Sequence, residues 1–280
     1  MNTKATITAL AVVSLGISAA QASTIAWGGG DGNWNTEGVA DAGWSGGTSP
    51  TMDGTDDAVI NGGTVSYDAG ALGDLGAGWG SSHLTLNGGV LTQSTTHWSV
   101  FDGSGTFTIA GGTFNSAADR VQIGASGTDT AQFVMTSGSF IHTGSEVAVR
   151  GGNTFTVSGG SMSANFFSLG DFGLATIDVA GGTVRLNDGS SGGGFYIGTA
   201  GSAINLTAAG VFNIGNTNIA DATANYLDTD RVVFGMDGNN ALLQVVDDGA
   251  GGVNISAVPE PTSAALLGLG GVALILRRRK

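Results

Sequence analysis

The chain has 280 residues, with 22 acidic against 9 basic side chains, 51 glycines, three prolines and no cysteine. That composition excludes a disulfide-stapled scaffold, and it excludes collagen, which needs a strict G-X-Y period and abundant proline. The acidic balance excludes nucleic acid and anionic lipid surfaces as partners of the body, and a 41% hydrophobic share with few charges argues against disorder.

Residues 1–22 read as a secretory signal peptide. Lys4 precedes the apolar stretch "ITALAVVSLGISAA", and Ala20 and Ala22 form a small-residue A-x-A site that places cleavage just before Ser23. From Ser23 to Val258 the body holds 21 carboxylates against four arginines (Arg120, Arg150, Arg185, Arg231) and no lysine, a balance of −17. A cap is expected over 23–57, where Trp27, Trp34 and Trp44 are spread through a glycine-rich stretch.

Residues 58–203 repeat. Gly-Gly or Ser-Gly pairs begin at 62, 88, 111, 137, 159 and 181, so successive spacings are 26, 23, 26, 22 and 22 residues. Four residues before each pair stand Ala58, Leu84, Phe107, Phe133, Phe155 and Ile177. Two before it stand Ile60, Leu86, Ile109, Met135, Val157 and Val179; three after it stand Val65, Leu91, Phe114, Phe140, Met162 and Val184. All eighteen positions are apolar, and their period of two predicts strands buried on one face. The glycine pairs permit turns with positive φ.

A third apolar segment follows in several periods: "VQIG" at 121–124, "VAVR" at 147–150, "FSLG" at 167–170 and "FYIG" at 195–198. Three short strands per period describe one coil of a parallel β-helix, with coils stacked about 4.8 Å apart. The expected fold is therefore all-β: a parallel β-helix of about six or more coils, capped at 23–57 and 204–257. A signal helix would precede it and a transmembrane helix would follow. An antiparallel sandwich also fits regular strands and turns, but it does not require the same three inward columns in register through six segments.

Residues 258–280 form a distinct tail: Pro259-Glu260-Pro261, an apolar run at 262–276, then Arg277, Arg278, Arg279 and Lys280. This order resembles the PEP-CTERM sorting signal of Gram-negative bacteria. The resemblance implies passage through the export machinery and reading of Pro259, Glu260 and Pro261 by an exosortase, a membrane protease-like enzyme. It also implies a link to exopolysaccharide. Fifteen apolar residues fall short of the roughly 20 of a comfortable span, and Gly268, Gly270 and Gly271 loosen the helix further. Transient inner-membrane anchoring is expected, with Arg277–Lys280 held on the cytoplasmic side as a basic stop. The run at 32–67, "GNWNTEGVADAGWSGGTSPTMDGTDDAVINGGTVSY", resembles the opening module of autotransporter-type passenger repeats. No translocator-barrel segment follows it, so self-export is not expected.

Catalytic motifs are sparse. His83, His97 and His142 are scattered, with His97 and His142 expected near coil turns, and no H-E-x-x-H, Walker loop or G-x-S-x-G occurs. "GGGDGN" at 28–33 reads as turn chemistry. No cofactor or metal is expected; Asp56-Asp57, Asp228/Asp230 and Asp247-Asp248 could reach calcium, but they suit Asx turns and a solvated face better. Asp119-Arg120 and Glu146…Arg150 fall in adjacent coils and are the nearest approach to catalytic pairs. Trp79 and Trp98 suit either sugar stacking or packing at coil corners. The expected protein is a non-catalytic exported solenoid, structural or adhesive, presenting a long acidic face at the cell surface or in the extracellular matrix. The alternative is a carbohydrate-active or carbohydrate-binding β-helix.

Overall fold

The computed structural model describes residues 22–34, 43–53, 55–67, 75, 80–93, 98–190, 193–207, 209–235 and 240–258. The leader before Ala22, the tail from Pro259 onward, Trp79 and His97 lie outside the described residues, and so do the signal helix and transmembrane helix expected there. Among the described residues no helix is long and apolar enough to cross a membrane. Ser23 opens the first strand, Ser23–Trp27.

The body is an all-β parallel solenoid of about six turns. Its first sheet has nine described strands in one parallel ladder, from Ser23–Trp27 through Thr106–Ile109 and Thr154–Val157 to Val232–Phe234. Tight glycine turns lead into a second sheet, which starts at Asp31–Trp34 and runs parallel through Val211–Ile214. A third sheet of five strands completes the central coils, from Ser99–Phe101 to Phe195–Ile197. Leu75 adds one further parallel bridge to Ser99.

Register explains why the columns are apolar. One column runs Ala58, Leu84, Phe107, Phe133, Phe155, Ile177 in direct partnership. The next runs Ile60, Leu86, Ile109, Met135, Val157, Val179, and the second sheet contributes Val65, Leu91, Phe114, Phe140, Met162, Val184. All eighteen side chains are at most 1% exposed. The phenylalanines stack from rung to rung, with Phe107–Phe133 centroids at 4.9 Å and Phe133–Phe155 at 4.7 Å. They also meet across the two sheets at 5.1 Å in the pairs Phe107–Phe114 and Phe133–Phe140. Each such burial contributes about 1.5–3 kcal/mol, so the ladders take the place of disulfides.

Close stacking also dictates the turns. Gly182 has φ +70°, and a Cβ there would sit 2.4 Å from the Gly160 carbonyl oxygen; at Gly181 it would sit 2.4 Å from that of Ser158. One glycine is needed for its backbone conformation and its neighbour for the approach of the preceding coil.

A fourth inward column was not legible as such. It comprises Trp34, Tyr67, Gln93, Ser116, His142, Ala164, Leu186 and Ile214, all buried. At the N-terminal end Trp27, Trp34 and Trp44 pack edge to face at 5.1–5.3 Å. At the other end Val253–Ala257 pairs antiparallel with Val211–Ile214, and Leu243–Asp247 pairs antiparallel with Val253–Ala257. That reversal ends the parallel ladder. Tyr226 fills the adjoining core, its hydroxyl donating to the Gly193 carbonyl at 2.9 Å, and burial pushes its pKa up to about 12.

Candidate functional site

The nearest catalytic pair is brought together and spent on itself. Arg120 and Glu146 are register partners at the start of neighbouring third-sheet strands, and their side chains form an ion pair. The Arg120 guanidinium also lies over the Trp98 ring, 4.8 Å from its centroid, and donates to Gln122 Oε1 at 3.3 Å. Trp98 is therefore one layer of a stacked corner. Asp119 accepts from Ser145 Oγ at 2.8 Å instead of facing Glu146 across a cleft. Arg150 covers the exposed ring of Phe172 at 4.8 Å.

Members of each acidic pair are engaged as hydrogen-bond acceptors. Asp56 accepts from the Thr51 amide at 2.9 Å, and Asp57 from the His83 amide at 2.8 Å. Asp230 accepts from Asn240 at 3.0 Å. Asp248 accepts from the amides of Ala250 and Gly252 in the terminal hairpin and from Asn213 at 2.9 Å. The Asn213 bond, followed by the two amides, holds its carboxyl below the usual carboxylate range. No group of three or more potential metal ligands occurs among the described residues. Gly29 and Gly30 take positive φ in the turn before Asp31–Trp34.

The histidines have different roles. His83 accepts the Thr106 amide through Nδ1 at 3.1 Å. His142, expected near a turn, instead faces the core between Ser116 and Ala164, fully buried, and neither ring nitrogen makes a well-formed hydrogen bond, the Ser116 and Glu146 backbones offering only weak ones. Burial lowers its pKa to about 4, against weaker opposing contributions from the Ser116 backbone, the Asp119 charge and the Glu146 backbone.

The acidic residues do not form a long face. Among the described residues many gather at the two ends and in the corners, among them Asp53, Asp102, Asp129, Asp188, Asp228 and Asp247, while Asp178 points outward from a first-sheet strand and Glu146 and Asp171 belong to the third sheet. The outward positions of the second sheet over five rungs are Thr64 and Ser66, Val90 and Thr92, Thr113 and Asn115, Ser139 and Ile141, Ser161 and Ser163. None is ionisable. The first sheet shows no carboxylate, lysine or arginine over four rungs, with His83 and Thr85, Thr106 and Thr108, Gln132 and Val134, Thr154 and Thr156. Composition counts charges without placing them, so this neutrality becomes visible only once register assigns each residue to a face.

A groove of about 210 Å³ follows the second sheet's outer face across three rungs, lined by Thr92, Asn115, Ser116, Ala117, Ile141 and Thr143. Ile141 is 42% exposed at its floor. Ala117 and Thr143, just beyond the strand ends, form one wall.

No curated protein matches the chain, and neither does any solved structure. The family model for the PEP-CTERM protein-sorting motif matches residues 257–280. That motif implies export towards the cell envelope or surface and recognition by an exosortase-type sorting enzyme. The chain is thus a β-solenoid body carrying a PEP-CTERM sorting signal at its C-terminal end.

Proposed function

We propose that the body is a non-catalytic structural or adhesive element, delivered to the cell surface or the extracellular matrix by its tail. The leader and the apolar run at 262–276 serve delivery only, with Pro259, Glu260 and Pro261 read by the sorting enzyme. The supporting observation is the mutual engagement of Arg120 and Glu146: an ion pair under a stacked Trp98 is a structural corner with no free acid and base. Neither cofactor nor metal enters this reading.

The test uses the purified full-length chain with neutral and acidic polysaccharides, followed by assay for new reducing ends or unsaturated products. No turnover is expected. Turnover abolished by Glu146→Gln would overturn the non-catalytic reading. For delivery, intact mass of protein from native cells should show loss of both 1–22 and 262–280; a mature species retaining the tail would contradict processing. Deleting Arg277–Lys280 should misplace the protein on cell fractionation.

A second reading, carbohydrate binding without turnover, is favoured by the uncharged hydroxyl- and amide-bearing outer face of the second sheet.

A further inference from the structure

The geometry points to the groove over Thr92, Asn115 and Ile141 as the binding site for a neutral, uncharged polysaccharide chain lying along the solenoid axis. This inference rests on the carbohydrate-binding reading and names its site and ligand class. Three observations carry it.

The first is charge. The body holds 21 carboxylates against four arginines, yet five consecutive rungs of this face carry no ionisable side chain. An acidic polymer approaching the body meets repulsion from the ends and corners. A neutral polymer meets none, and the face offers no charge that it would have to desolvate.

The second is chemistry. The groove's accessible walls are mostly carbon, from Ile141, Ala117 and threonine methyl groups, while the Thr92 and Asn115 side chains make no hydrogen bond to the described residues. A sugar ring has this same division, with C–H bonds on its faces and hydroxyls around its edge. Ring faces would pack over Ile141, and the Asn115 amide and Thr92 hydroxyl would donate to and accept from the edges. A protein partner fits less well, because interface cores are rich in aromatic residues and poor in serine, whereas this face is lined with Ser and Thr.

The third is shape. The lining residues come from three successive rungs, whose spacing of about 4.8 Å gives a track of about 10 Å parallel to the axis. At about 210 Å³ the groove is smaller than the roughly 300–1,000 Å³ of a small-molecule pocket. It suits a short stretch of a longer chain that continues along the adjoining hydroxyl rungs, such as Ser163.

The test is affinity gel electrophoresis of the full-length chain in mild detergent, with hydroxyethylcellulose or dextran as neutral probes and alginate as the acidic one. The expected result is retardation by a neutral polymer, at least tenfold weaker in Ile141→Glu and Asn115→Asp and unchanged in Thr156→Glu on the first sheet. Circular dichroism confirms that each variant is folded; should Ile141→Glu unfold, Asn115→Asp alone carries the comparison. Neutral-polymer retention unaffected by the groove variants would overturn the site but leave carbohydrate binding standing. Retention by alginate alone would overturn the neutral ligand class. Retention by no polymer would overturn both the groove and the carbohydrate-binding reading, while the structural role would still be judged by localisation.

Discussion

His142 shows most clearly what an inward position can conceal. Its register neighbours along the fourth column run from Trp34 and Tyr67 through Gln93 and Ser116, then return to Ala164, Leu186 and Ile214. The first three columns could be read because every member is apolar and the period of two is unbroken. The fourth could not, because Gln93, Ser116 and His142 look like surface residues when taken singly. Burial leaves the imidazole neutral in the folded state, with a pKa of about 4 against an ordinary value of 6.5. On acidification the unfolded chain takes up this proton first. The contribution is therefore intact above pH 6.5, declines as pH falls towards 4, and declines no further below that. A difference of this size corresponds to about 3 kcal/mol. Urea unfolding at pH 7 and pH 4.5 should show a smaller loss of stability in His142→Leu than in the parent chain; equal losses would show that the ring is solvated.

The element that decides the fold is the turn between the first and second sheets. Its glycine pairs were conspicuous in the sequence as punctuation, but the second reason for them was not: the backbone of the preceding coil occupies the space where a side chain would go. Gly182→Ala meets both a positive φ and a carbonyl oxygen 2.4 Å from the new methyl group. At a site of compatible φ the same change would stabilise by about 0.4–1 kcal/mol; here it is expected to destabilise by more than that, since φ is positive and the collision is with backbone. Gly46, which has a positive φ but nothing within 4 Å, supplies the comparison. Gly182→Ala should lower the melting temperature more than Gly46→Ala, and the reverse order would mean that coil contact is not what excludes a side chain. The third sheet was the less legible element. Its central strands, such as Glu146–Arg150 and Phe167–Asp171, are buried on both faces, so the alternation that identifies the other two sheets is absent there.

For the whole molecule, rung-by-rung contact predicts modularity. Thr154 is the register partner of Thr176, so deleting residues 154–175 removes one complete coil and brings equivalent positions into place. The shortened chain should keep its β-sheet circular dichroism and a single melting transition, as expected where each repeat touches only its neighbours. Deleting 154–164 removes the first- and second-sheet strands of that coil but leaves its third, and this variant should lose the fold. Equal disruption by both deletions would argue against an axial stack. Charge was the molecule-scale property read least well from the sequence. The net excess was plain, but its absence from five rungs of the second sheet's outer face depends on which residues the coil turns outward.

The parallel arrangement gives the body a direction. Its first rung carries the tryptophan cluster, and the last described residue, Val258, donates its amide to the Leu242 carbonyl at 2.7 Å beside the antiparallel strands that close the opposite end. Nine strands at about 4.8 Å separate these extremities by roughly 40 Å. Whatever grips the sorting tail therefore holds the molecule by its foot, leaving the uncharged rungs of the second sheet free and the indole-rich head farthest from the tether.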